Sequence, residues 1–251
     1  MEGCKNALVG IVAILCVQLG WCIMGGWEAT PHSRPFMVSI QQNGKHECGG
    51  FLIAEKWVMS AAHCFTDPSE KTGKVVLGAH SLSTPEDTKQ VFGIASLHPH
   101  PDFSLDNYDN DIILLKLDGS ASPTTAVKPV AYQRGGGYVA AGSEVTVLGW
   151  GSTSNLGNRP DALQELTVKV MRSPLCKRYD YYGDKFTDNM MCAAGHISDT
   201  CDGDSGGPLI HSGVVVGITS NGSKKCGKPK KPGIYTVVSR YTQWIDSVLQ
   251  Q

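Results

Sequence analysis

The chain has 251 residues and is close to electroneutral, with 22 Lys plus Arg against 23 Asp plus Glu. With no basic stripe and no block of like charge, the composition excludes a nucleic-acid-binding surface and a charged, disordered tail. Its 29 Gly and 13 Pro are scattered rather than clustered, which suits many short strands joined by turns.

Residues 1–22 have the form of a secretory signal: Lys5, an almost unbroken apolar run over 7–19, then Gly20-Trp21-Cys22. The apolar run is short for a membrane span. A secreted, extracellular protein of residues 23–251 is expected, with no membrane association. Six cysteines follow the signal: Cys48, Cys64, Cys176, Cys192, Cys201 and Cys226. They contain no C-x-x-C pair and no zinc spacing, so an oxidising compartment predicts disulfides and no metal. Each bridge closing a loop of this kind contributes about 3 kcal/mol in the chain-entropy model.

Apolar patterning predicts strands over 37–42, 50–53, 57–61, 74–77, 112–117, 144–148, 163–170, 214–220 and 233–237. Residues 118–142, rich in Pro, Ser, Thr and Gly, read as a linker between two halves. One helix is predicted at the end, where Tyr241, Trp244, Ile245 and Val248 share a face.

Three strings carry chemistry. Ser205 lies in Asp199-Thr200-Cys201-Asp202-Gly203-Asp204-Ser205-Gly206-Gly207-Pro208, where glycines permit close approach of backbone N–H groups to a hydroxyl. A hydroxyl is a weak nucleophile near neutral pH and requires a base. His63 follows an apolar strand in Ser60-Ala61-Ala62-His63-Cys64, and Asp111 opens the apolar run Ile112-Ile113-Leu114-Leu115. A carboxylate entering a core needs a partner.

This His, Asp, Ser order resembles the chymotrypsin-like (trypsin family) serine proteases. Ile23-Met24-Gly25-Gly26 and Gly149-Trp150-Gly151 add to the resemblance, which runs from Ile23 to the end of the chain. It implies an all-β fold of two packed six-stranded antiparallel barrels with a C-terminal α-helix. The barrels would span about 23–125 and 126–238, and the helix about 239–251. It implies Cys48–Cys64, Cys176–Cys192 and Cys201–Cys226 bridges, a monomer, and no cofactor. It implies Ser205 as nucleophile, His63 as base, Asp111 orienting the imidazole with help from Ser220, and an oxyanion hole from the Gly203 and Ser205 N–H groups. Asp204 would pair with the α-amino group of Ile23, which here directly follows the signal.

Asp199 matches the floor of the primary specificity pocket, Ser220, Asn221, Gly222 and Gly233 its walls, so cleavage after Arg or Lys is expected. Asn221 replaces the usual wall tryptophan, and Lys224 is read either as a latch that neutralises Asp199 at rest, as a basic residue does in factor D-type enzymes, or as a solvated surface lysine. These loops are most similar to those of factor D-type complement enzymes, implying complexed factor B as the protein substrate. A broader trypsin-like enzyme, a granule protease and an inactive binding homologue are the alternatives. The pair Cys201 and Cys226 argues against the granule type. Asp202 at the pocket entrance would alter selectivity beyond the cut. Val145 and His211 stand where relatives carry a further bridge, Asn221-Gly222-Ser223 is a sequon expected to be unoccupied, and Ala79 removes a ligand of the family's calcium loop.

Overall fold

The computed structural model describes residues 26–66, 72–152, 158–195, 203–221 and 230–251. Residues 1–25 fall outside these, and with them the signal segment and Ile23.

The first half comprises β2 (Met37–Gln42), β3 (Lys45–Ala54), β4 (Trp57–Ser60), β5 (Lys74–Leu77), β6 (Gln90–Phe92), β7 (Ile94–Pro99) and β8 (Ile113–Leu117). They form one sheet in the order β6-β5-β2-β3-β4-β8-β7. The two edge strands are one strand bent at Gly93, so the sheet closes through the chain itself into a six-stranded barrel. At the bend, the Gly93 N–H donates to Asp118 Oδ1 at 2.9 Å. A Cβ on Gly93 would stand 2.5 Å from the other oxygen of that carboxylate, so a larger residue there requires the Asp118 side chain to shift.

The second half comprises β9 (Glu144–Gly149), β10 (Gln164–Val170), β11 (Met190–Ala194), β12 (Pro208–His211), β13 (Val214–Asn221) and β14 (Gly233–Val237). They run in the ring order β10-β11-β14-β13-β12-β9, and β9 also pairs with β10 to close the barrel. A two-residue strand, β1 (Trp27–Glu28), is added outside β10. Fold class and strand count therefore agree with the two-barrel expectation.

Both faces of several strands are buried, which explains their continuous apolar runs. On β8, Ile113, Leu115 and Leu117 fill the first barrel, while Leu114 and the preceding Ile112 face the seam between barrels. Met37, Phe51, Met59, Leu148, Trp150 and Ile218 join that seam. Val145, Val147, Leu166, Val168, Leu209, Val216 and Tyr235 fill the second barrel. The terminal α-helix (Thr242–Leu249) closes the seam with Ile245 and Val248. Tyr241 belongs to the 3₁₀ turn Val238–Tyr241 before it, not to the α-helix.

Strands β1, β6, β7, β11 and β12 are absent from the sequence expectation. Gln90–Phe92 and Ile94–Pro99 are half-exposed and lack alternation. Met190–Ala194 is strand despite lacking β-branched residues, because it is held between β10 and β14. No helix among the described residues is long and apolar enough to cross a membrane.

Candidate active site

His63 sits in the 3₁₀ turn Ala62–Phe65 that follows β4. The disulfide Cys48–Cys64 ties that turn to β3, with Cα atoms 6.4 Å apart. Asp111, fully buried, immediately precedes the Ile112 that anchors β8 in the seam. Its Oδ1 accepts the His63 backbone N–H at 2.9 Å, and its Oδ2 lies 2.7 Å from His63 Nδ1. An ionised carboxylate has no proton to give, so Nδ1–H donates to Oδ2 and Nε2 is left as the proton-accepting nitrogen of a neutral His63. Ser220, near the end of β13, donates its hydroxyl to the same Oδ2 at 2.5 Å. The carboxylate thus accepts three hydrogen bonds, which compensates its burial.

Ser205 lies in a turn nailed to both barrels. Its carbonyl accepts the Gly49 N–H of β3 at 2.8 Å, and the Gly206 N–H donates to Thr219 O at 2.7 Å. Gly206 has φ +82°, and a Cβ there would collide with Ser60 Oγ and Gly49 O. Gly203, with φ +94°, presents its peptide in a conformation that L side chains rarely adopt. Asp204 is fully buried, and its Oδ1 accepts the Gly151 N–H at 2.9 Å. A Cβ on Gly151 would stand 2.6 Å from Asp204 N, which explains the glycine after Trp150.

One residue in contact with the serine turn carries no sequence signal. His46, in β3, is buried; its Nδ1 lies 2.8 Å from Ser39 Oγ and its Nε2 2.9 Å from Gly203 O. The carbonyl must accept, so Nε2 carries the proton and Nδ1 accepts from the serine hydroxyl. Burial lowers its pKa from 6.5 to about 4, opposed by the Gly203 bond and aided by Arg159. Arg159 Nη1 donates to His46 O at 2.6 Å. Both ring nitrogens of His46 are thus committed, Nε2 to the Gly203 carbonyl and Nδ1 to the Ser39 hydroxyl, which removes it as a base. No local string marks this role, because it arises only when β3 meets the Ser205 turn.

Gly233 begins β14 and Asn221 ends β13, where Asn221 pairs with Ile234. Asp199, Gly222 and Lys224 lie outside the described residues, as do Asp202 and the Cys201 and Cys226 pair. Cys176 and Cys192 are bridged. Val145 is buried in the second barrel, and His211 follows Ile210 on the strand that pairs with β9, its Nδ1 3.0 Å from Glu144 O. Cys48, His63 and Cys64 bring three ligand-type atoms together, but both sulfurs are consumed by their bridge.

Two barrels with a hydrogen-bonded Asp–His pair and a serine turn at their seam define a chymotrypsin-like serine protease. The family model named Trypsin matches residues 23–245, and the chain belongs to that family. It is 41% identical to Serine protease 57 of Rattus norvegicus, covering 99% of this chain and 92% of the relative. It is 42% identical to Granzyme M of the same organism, covering 90% and 89%, and 39% identical to its Kallikrein-8, covering 96% and 92%. The structure of neuropsin, described as a serine protease expressed in the limbic system of mouse brain, matches with a TM-score of 0.82. It is 38% identical, covering 89% of this chain and 98% of that one. These relatives do not support the factor D-type resemblance, the complement pathway or factor B as partner. Similarity to Granzyme M also weakens the argument that Cys201 and Cys226 set the chain apart from granule enzymes.

Proposed function

We propose that this protein is a trypsin-like serine endopeptidase of broader type than a complement enzyme, acting on protein substrates from an extracellular or granule compartment. Ser205 Oγ attacks the scissile carbonyl while His63 Nε2 takes its proton, then returns it to the leaving amine. Asp111 holds the tautomer that leaves Nε2 open and stabilises the imidazolium. The observation carrying this reading is the 2.7 Å contact between His63 Nδ1 and Asp111 Oδ2, reinforced by Ser220.

The N–H groups of Gly203 and Ser205 receive the oxyanion, and removing one such donor typically costs about 3–4 kcal/mol in the transition state. His46 supports this hole by fixing the other end of the Gly203 residue. Ile23 becomes the mature terminus and its α-amino group pairs with Asp204, which supports the same turn. The proposed domain spans 23–251, its first barrel about 23–125 and its second about 126–238. The Cys201–Cys226 bridge ties the serine turn to the substrate wall.

Asp199 forms an anionic pocket floor between Ser220, Asn221, Gly222 and Gly233, so cleavage follows Arg or Lys; Lys224 neutralises that floor at rest. Sequencing the products of a denatured protein digest tests the specificity: cuts confined to Arg and Lys support it. Cuts concentrated after apolar residues contradict it. A Lys224→Gly variant with unaltered turnover of small arginine esters contradicts the resting latch.

A further inference from the structure

The proposed catalytic acid–base pair comes from the first barrel and the nucleophile from the second, so the loop carrying Asp111 must be held against the far side of the seam. Three successive residues of that loop receive hydrogen bonds from the second half. Thr236 Oγ1 of β14 donates to Asp111 O at 3.0 Å. Asp109 Oδ1 accepts from Thr187 Oγ1 at 2.6 Å and from Asn189 Nδ2 at 3.1 Å. Asn110 Oδ1 accepts from the same Asn189 amide at 3.2 Å and from the Tyr241 hydroxyl at 3.2 Å.

Asn189 is the centre of this arrangement. Its two amide protons serve two acceptors, one on each residue preceding Asp111. Its own backbone is fixed, because its carbonyl accepts the Val237 N–H of β14 at 2.9 Å. The loop it grips is not in a relaxed conformation. Tyr108 and Asn110 have φ of +60° and +54°, a region uncommon for side-chain-bearing residues and unusual for a bulky tyrosine. Such a conformation persists when its surroundings over-determine it. Here those surroundings lie on the opposite barrel. The Tyr108 ring meets the His63 ring at 5.4 Å and 73°, so displacement of the loop would disturb both members of the Asp–His pair.

We infer that Asp109 and Asn189 form an interdomain clasp that positions Asp111 and Tyr108 for the reaction, with Asp109 acting as a hydrogen-bond acceptor rather than as a charge. The inference rests on the Ser205–His63–Asp111 reading above. It assigns these residues no contact with substrate; they act through the geometry of Asp111. Small misplacements of reacting groups are expensive, since about 1 Å can cost on the order of 100-fold in rate.

The test is steady-state kinetics on a fluorogenic peptide amide cleaved by the wild type, with active enzyme counted by organophosphonate titration. Asp109→Ala and Asn189→Ala are each expected to lower kcat roughly tenfold while KM stays within about twofold. The double variant is expected to be no worse than the more damaged single one, because both break one unit. Asp109→Asn keeps the accepting oxygen and is expected to retain kcat within about twofold. Thr187→Val removes one donor; if the alanine variants fail to fold, a roughly threefold loss of kcat in it carries the test. Alanine variants that lose thermal stability but keep kcat, or raise KM alone, overturn the clasp. So does an Asp109→Asn variant as impaired as Asp109→Ala. A wild type that neither cleaves nor reacts with the phosphonate overturns the underlying protease reading instead.

Discussion

Asp111 Oδ2 is shared: His63 Nδ1 lies 2.7 Å from it and the Ser220 hydroxyl donates to it at 2.5 Å. One oxygen therefore couples the proposed base on the first barrel to β13 on the second. Asp111→Asn, which can present an amide N–H in place of an acceptor, is expected to lower kcat on the order of 10⁴-fold by favouring the wrong tautomer. Ser220→Ala leaves the carboxylate its two His63 bonds and is expected to cost roughly tenfold. Comparing kcat of the two variants with the wild type checks both.

His46 predicts an acid-sensitive fold. Its folded pKa is lowered from 6.5 to about 4 by burial. Between those values the unfolded chain binds a proton at this imidazole that the folded one refuses, so stability falls as pH drops through that window. The gap between 6.5 and about 4 is worth about 3 kcal/mol. Urea unfolding at intervals from pH 7 to 4 should show this slope in the wild type and a shallower one in His46→Gln. His98 and His100, also lowered by burial, contribute slope of the same sign in both proteins.

Lys89 acts as a built-in cation within the 82–86 turn. Its Nζ donates to Leu82 O at 3.2 Å and Thr84 O at 2.5 Å and lies 3.9 Å from Glu86 Oε2. Glu86 in turn accepts the His80 N–H at 2.9 Å and the Ser81 N–H at 3.2 Å. Lys89→Met is expected to destabilise the fold by about 1–3 kcal/mol, while a chelator leaves the wild-type melting temperature unchanged. Thermal melts of both proteins with and without chelator measure this.

Gly151 leaves room for the buried carboxylate of Asp204. A Cβ would fall 2.6 Å from Asp204 N. Gly151→Ala is expected to cost at least about 1–3 kcal/mol and to displace the serine turn. The change should lower kcat more than a urea midpoint shift alone accounts for, read in conditions where the variant remains folded.

Much of this site is legible in sequence because its parts are local strings: a strand followed by A-A-H-C, an aspartate at the mouth of an apolar run, a serine among glycines. Strands with both faces buried were equally visible, and 37–42, 74–77 and 233–237 have the expected bounds. Met190–Ala194 was not, since its pairing with β10 and β14 rather than its propensity makes it a strand. His46, Arg159, Asp109 and Asn189 were hidden for a related reason. Each works across the seam, with partners such as Gly203, 157 residues away from His46, and Asn189, 80 away from Asp109. Glycines showed the opposite pattern: Gly149-Trp150-Gly151 was visible as a string, but its cause, the Asp204 carboxylate, was not.

Labelling of the purified protein by a fluorophosphonate, followed by peptide mapping, tests whether Ser205 is a nucleophile activated by His63. One labelled residue is expected, Ser205, with labelling abolished by Ser205→Ala and slowed at least about 100-fold by His63→Ala. Labelling elsewhere, or at Ser205 with a rate indifferent to His63, would contradict it.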